Sequence, residues 1–223
     1  MSLRTQLDDL LKNIDPDITI TNDAKSYLEQ ILIIICELIY DKVHIINRNK
    51  HSQKAINHNS IRLAVRLMFP GEIRGLLVSE IARGIRDGKQ SFVFPTGLFI
   101  RKNKLTNKGL LAITAVIEYI AYDILSIACI NVIRNKKIRL SSNDIYDAIW
   151  SDMELTYICQ QNGIYLIRKQ APVIPKSHLE QFIQRCSPAL RCNKDVLATL
   201  SSYIEEYIGT LLYQQQLLPS VKN

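Results

Sequence analysis

Glycine and proline are scarce, at eight and seven in 223 residues. A sandwich or barrel needs many tight turns, so this scarcity argues against an all-β fold. Cys36, Cys129, Cys159, Cys186 and Cys192 are odd in number, widely spread and contain no Cys-x-x-Cys pair. A disulfide framework is therefore not expected, and buried thiols in a reducing, intracellular setting are. His44, His51 and His58 are seven apart, but His51 and His58 fall in or beside a predicted loop and no cysteine or acid completes a ligand set. Gly88-Lys89-Gln90-Ser91 has the wrong glycine spacing for a phosphate loop and no strand before it, so it reads as a joint. No secretory signal is expected, because residues 1–17 are mixed and hold four aspartates. These gaps leave no expected cofactor, metal or catalytic set, and the chain reads as a non-enzyme.

Apolar residues make up 47% and charged residues 22%, the balance of an ordinary globular chain. Lysine and arginine number 28 against 21 acids, a net +7 that favours an anionic partner. One long apolar run, residues 110–133, could be mistaken for a membrane span. Glu118 and Asp123 sit in its middle, and each acid there costs roughly 2.5–3.5 kcal/mol in a bilayer. A buried helix is the better reading, with no membrane partner.

The pattern is helical nearly throughout. Residues 3–13 make a short helix stopped by Asp15-Pro16. A long helix covers 22–48, capped by Thr21 or Asn22. After a polar stretch, Asn49 to Asn57, come helices at 58–68 and 71–86, the second opened by Pro70 and stopped by Asp87-Gly88. The order then repeats: a short helix near 96–103, a long one at 108–134, a basic loop, a short helix at 143–150 capped by Ser141/Ser142, and a piece to about 160. Arg48-Asn49-Lys50 recurs as Arg134-Asn135-Lys136, offset by 86, and Ile61-x-x-Ala64-Val65 as Ile145-x-x-Ala148-Ile149, offset by 84. Ile31, Leu32, Ile34, Ile35, Leu38 and Ile39 nearly encircle the first long helix, and Leu111, Val116, Ile117, Ile120, Ile124 and Ile127 the second. Crossing the two long helices head to tail would bury both, a handshake closed within one chain.

This organisation resembles the histone fold. Thr19 to Ala24, the stretch Ile61 to Ile73 (Ile-Arg-Leu-Ala-Val-Arg-Leu-Met-Phe-Pro-Gly-Glu-Ile) and Val78-Ser79-Glu80 look like histone two-B. Phe94-Pro95-x-Gly97, Ala115-Val-Ile-Glu-Tyr-Ile, Arg134-Asn-Lys-Lys-x-Arg139 and Asp152-Met-Glu-Leu155 look like histone two-A. The resemblance covers about residues 9–160, and a two-B-then-two-A doublet is the arrangement carried by some large DNA viruses. It implies an all-α chain of two tandem histone folds, at 1–90 and 91–162, forming an intramolecular pseudo-dimer. Residues 163–223 then hold a docking-like segment and a helical C-terminal extension. Departures are clear: helical pattern begins almost at Met1 where the family has a long basic tail, the first short helix and loop of the second half are several residues shorter, and the arginine expected near Gln53 is missing.

Charge supplies the site. Arg134, Lys136, Lys137 and Arg139 place four cations within six residues, Arg48, Lys50 and Lys54 form a weaker counterpart, and Arg101, Lys102, Lys104 and Lys108 follow the second short helix. A handshake would set Lys136–Arg139 beside Ile18–Thr21, bringing in Thr19 and Thr21, and Arg48–Lys54 beside Lys104–Lys108. By resemblance, Arg139 is a minor-groove arginine, and Arg101 and Lys104 match phosphate contacts. Glu72, Glu80, Glu118, Asp123, Asp152 and Glu154 occupy six of the eight acidic-patch positions of the family, with Ser126 and Met153 departing. Such a patch would attract basic segments of other proteins.

Residues 163–176 stand where the two-A docking segment lies, and His178–Cys186 and Val196–Gln214 look like further amphipathic helices. The resemblance implies a DNA-packaging protein that binds double-stranded DNA without sequence preference. A companion doublet equivalent to histones three and four would complete a nucleosome-like particle. The setting implied is a virion and a host nucleus or viral factory. The alternatives are a histone-fold adaptor of a transcription or repair complex that never wraps DNA, and a membrane-associated helical protein.

Overall fold

Leu3, Leu7, Leu10 and Leu11 recur at helical spacing, and they line the buried side of the first helix, α1 (Leu3–Ile14). In the computed structural model, which describes residues 3–47, 55–98, 104–162, 164, 176–186, 200 and 204, the chain is mostly helical. The further helices are α2 (Asn22–Asn47), α3 (His58–Met68), α4 (Gly71–Asp87), α5 (Asn107–Arg134), α6 (Ser142–Ser151), α7 (Met153–Gln161) and α8 (Lys176–Cys186). The chain divides into two compact units, residues 1–168 and 169–223, and α8 belongs to the second.

Caps set most of the boundaries. Thr21 Oγ1 accepts the Ala24 N–H at the start of α2, Asn57 Oδ1 accepts from Ser60 at α3, and Thr106 Oγ1 accepts from Gly109 at α5. Ser141 and Asp144 close a reciprocal capping box on α6. Lys25 and Asp8 pair at 2.5 Å, and Arg4 and Glu29 at 3.5 Å, tying α1 to α2.

The centre of the first unit is α5, which meets α1, α2, α3, α4 and α6. Its buried residues, Ile113, Val116, Ile117, Ile120, Ile124, Leu125 and Val132 among them, face every side of the helix because neighbours stand on every side. It is long and apolar enough to cross a membrane, and more than half of its most apolar window is packed inside the fold. The same all-round burial was expected of α2 and is not found. Leu28, Ile31, Leu32, Ile35, Ile39 and Val43 are buried, while Ile34 and Ile45 are exposed. The physical reason is that, among the described residues, α1, α3, α5 and α6 pack on the stripe from Ala24 to Val43 and leave Ile34 and Ile45 uncovered.

Two short parallel pairings join the ends of the long helices. Strand β1 (Thr19–Ile20), just before α2, pairs with β2 (Arg139–Leu140), just after α5, in the register Thr19↔Arg139 and Ile20↔Leu140. At the other end Ile56, after α2, bridges to Leu105, before α5. Because each long helix leaves one pairing and reaches the other, α2 and α5 run antiparallel. Neither pairing was read from the sequence as strand. A second difference lies in the joint. Lys89–Ser91 form one 3-10 turn, and residues 96–98 of the short helix expected at 96–103 form a turn opened by Pro95, whose carbonyl accepts the Leu98 N–H at 3.1 Å, with 99–103 outside the described residues. Of the C-terminal helix expected at Val196–Gln214, only 200 and 204 are described, both helical.

Candidate nucleic-acid interface

The β1–β2 corner is built from backbone outward. α5 ends at Arg134, Lys136 turns the chain at φ 54°, and the Lys137 N–H returns to the Val132 carbonyl at 3.0 Å. The Thr19 N–H then donates to the Ile138 carbonyl at 3.0 Å, and the Thr21 N–H to the Leu140 carbonyl at 3.0 Å. Ile20 and Leu140 point into the core and Thr19 and Arg139 point out, the alternation a paired strand imposes. Thr19 and Arg139, 120 positions apart, therefore stand side by side on the surface.

Arg134, Lys136 and Arg139 are exposed and have no ion-pair partner among the described residues. Lys137 differs. Its Nζ lies 3.3 Å from Asp144 Oδ1, an acid that is itself buried. Burial pushes the Asp144 carboxyl up, but the Ser141 hydroxyl and N–H, with Lys137, outweigh it and hold the group below its ordinary range. Thr21 Oγ1 is the acceptor of the α2 cap, and the Thr19 hydroxyl donates to the Ile138 carbonyl at 3.4 Å. Of the six groups read from sequence, the corner thus offers three exposed cations without an ion-pair partner among the described residues, with Thr19 on the surface beside Arg139.

At the opposite end the Ile56 N–H donates to the Lys104 carbonyl at 2.8 Å, and the Thr106 N–H to the Ile56 carbonyl at 2.9 Å. Lys104 and Lys108 are exposed there, with Lys108 in the first turn of α5. Arg48, Lys50, Lys54, Arg101 and Lys102 lie outside the described residues.

The acids are used differently. α4 begins after Pro70, which brings no side-chain cap. Glu154 supplies the missing acceptors from 82 positions away, its two oxygens taking the N–H groups of Glu72 at 2.7 Å and Ile73 at 2.8 Å. Gly71, at φ +47°, makes room, since a Cβ there would overlap the Glu154 carboxylate. Asp152 caps α7 by accepting from Glu154 and Leu155. Glu80 pairs with Arg83 at 2.7 Å.

Glu118 is only 8% exposed and accepts the Phe94 N–H at 2.6 Å, pinning the joint to α5. Burial pushes its carboxyl up to about 7, against the pull of the Phe94 and Val93 N–H groups and Arg83. It borders an open cavity of about 260 Å³ lined also by Leu10, Glu80, Arg83, Ala115, Tyr119 and Tyr122. Burial raises the Asp123 carboxyl, and the nearby charges of Asp152 and Glu154 raise it further, so these three acids converge. Glu72 and Asp123 keep side chains without an ion-pair partner among the described residues.

Sequence reading missed that Glu154 and Glu118 serve as backbone acceptors. A signal for the first was present, because a helix opening at Pro-Gly with no Ser, Thr, Asp or Asn before it needs a distant acceptor. Cys36, Cys129 and Cys159 are buried and reduced, and burial pushes Cys129 and Cys159 up to about 11. No family model and no curated protein matches this chain.

Proposed function

We propose that this chain is a DNA-packaging structural protein, two tandem histone folds clasped in an intramolecular handshake. The observation that carries the reading is the β1–β2 corner, where backbone pairing sets Thr19 beside Arg139 and where Arg134, Lys136 and Arg139 have no ion-pair partner among the described residues. Its counterpart at the Ile56–Leu105 bridge carries Lys104 and Lys108. A helix of 28 residues spans about 42 Å at 1.5 Å per residue, of the order of one duplex turn, about 34–36 Å. Two positive corners at that spacing suit the backbone of one bent duplex and need no base readout. Arg139 is the residue assigned to the minor groove, and Thr19, Lys104 and Lys108 to phosphates.

A companion doublet of the three/four type would complete the particle. The exposed Leu63 and Leu67 on α3 and Ile45 at the end of α2 give it an apolar surface to cover. Glu72 and Asp123, with the Asp152 and Glu154 carboxylates beside them, would receive basic peptides.

The test is assembly with such a companion and DNA, followed by nuclease digestion. A discrete protected length is expected. A smear would favour an adaptor that does not wrap DNA, and would overturn the packaging reading.

A further inference from the structure

We infer that Ile138 is an apolar wedge that enters between base pairs beside Arg139, so that the corner unstacks and kinks the duplex it holds. The inference rests on the DNA-binding reading above and adds a specific act to it. Single exposed aliphatic residues are ordinary on protein surfaces, but three features set this one apart.

First, Ile138 is 76% exposed where strand register would have buried it. Its parallel neighbour Ile18 is 5% exposed, and a bend at 138 turns the isoleucine outward instead. Second, the backbone around it is fixed. The Ile138 carbonyl accepts the Thr19 N–H at 3.0 Å and the Thr19 hydroxyl at 3.4 Å, and the preceding N–H, of Lys137, is held by Val132. A side chain presented on a pinned loop loses little freedom on insertion. Third, cations flank it in sequence, Lys137 before and Arg139 after, with Lys136 and Arg134 close behind. An aliphatic group amid cations is the composition of a minor-groove wedge, where phosphates hold the protein against the duplex while the apolar group separates a base step.

Ile130 and Ile133 are also exposed on the last turns of α5, which raises a lipid surface as the competing occupant. An interfacial helix must lay one apolar face along the membrane. α5 is packed on all sides along most of its length and offers only its tip, so the duplex is favoured.

The test uses the full chain on 30-base-pair duplexes containing flexible TA steps, probed with permanganate, which oxidises unstacked thymines. At saturation the native chain should raise thymine reactivity several-fold. Ile138→Thr should return it to the level of free DNA while weakening binding only about 3- to 10-fold, and Ile138→Phe should keep it. Native-like reactivity in Ile138→Thr, or no reactive thymine at saturation, overturns the wedge and leaves the DNA-binding reading intact. Failure to bind the duplex at low salt, with or without binding to phosphatidylserine vesicles, overturns both.

Discussion

α5 carries opposite charges at its tip and along its middle, and the fold treats them in opposite ways. Beyond its C-terminal end Lys136 and Arg139 are exposed and have no ion-pair partner among the described residues. Along its middle and at the α6–α7 turn, Glu118, Asp152 and Glu154 each accept backbone N–H groups that would otherwise be orphaned. Cations in this chain can be left over because lysine and arginine donate, and helix ends with spare carbonyls can be met by water. Carboxylates are drawn inward because helix N-termini and a buried joint need acceptors. A surface read from charge letters alone is therefore more faithful for the basic corner than for the acidic face.

The largest effect should come from removing the room an acid needs. Gly71→Ala places a Cβ at φ +47° and against the Glu154 carboxylate. Left-handed strain of about 1–3 kcal/mol and loss of a cap worth about 1 kcal/mol should lower stability by about 2–4 kcal/mol in urea denaturation. Glu154→Gln keeps one acceptor and should cost less, about 0.5–1.5 kcal/mol. Equal stability of Gly71→Ala and the native chain would mean that Glu154 is a surface acid after all.

Next comes a pH effect with an unusual sign. The Glu118 carboxyl rises from 4.5 to about 7 on folding, mainly through burial. A raised acid contributes most while protonated, below its unfolded value, and that contribution is lost as pH climbs through 7. Stability should fall by about 1–3 kcal/mol between pH 5 and 8, and Glu118→Gln should flatten the slope. Asp144, whose carboxyl is held low, acts in reverse, its contribution vanishing as pH falls. A native chain whose stability rises steadily from pH 5 to 8 would contradict the burial of Glu118.

At the basic corner the effect moves from folding to binding. Arg139→Ala should leave helicity and melting nearly unchanged, since its backbone carries the pairing with Thr19. The slope of log affinity against log salt should shrink by about one, and nuclease protection should weaken. Equal protection by mutant and native protein would remove Arg139 from the interface.

Much of the fold was legible because caps and breakers are local. Thr21 and Ser141, read as caps, open α2 and α6, and Pro70 and Gly88 bound α4. What was illegible is what depends on distant partners. Ile34 reads as core in a helix that is apolar all round, yet it is exposed because none of the described helices covers that face of α2. Two-residue strands leave no period to detect, so β1 and β2 could only be reached through the idea that the loops meet. Glu154 and Glu118 stand on the helices expected, but their carboxylates also accept backbone N–H groups that no local pattern announces.

The smallest predicted effect draws the line between the two kinds of charge most finely. Lys137 sits among the free cations in sequence, yet its Nζ lies 3.3 Å from Asp144, with the lysine about half exposed and the acid buried. The Ser141 N–H and hydroxyl also hold that acid, at 2.8 Å and 2.5 Å, so loss of the lysine leaves it bonded. With screening at a half-exposed lysine, Lys137→Ala should cost about 0.5–1 kcal/mol near neutral pH, disappearing once Asp144 is protonated in acid. Its DNA salt slope should change by less than that of Arg139→Ala, because a cation already neutralised by an internal acid releases fewer counterions from the duplex. Salt slopes measured side by side for the two variants decide the matter. If they match, Lys137 turns from Asp144 to the phosphates on binding, and internal pairing does not divide the free charges of this corner from the committed ones.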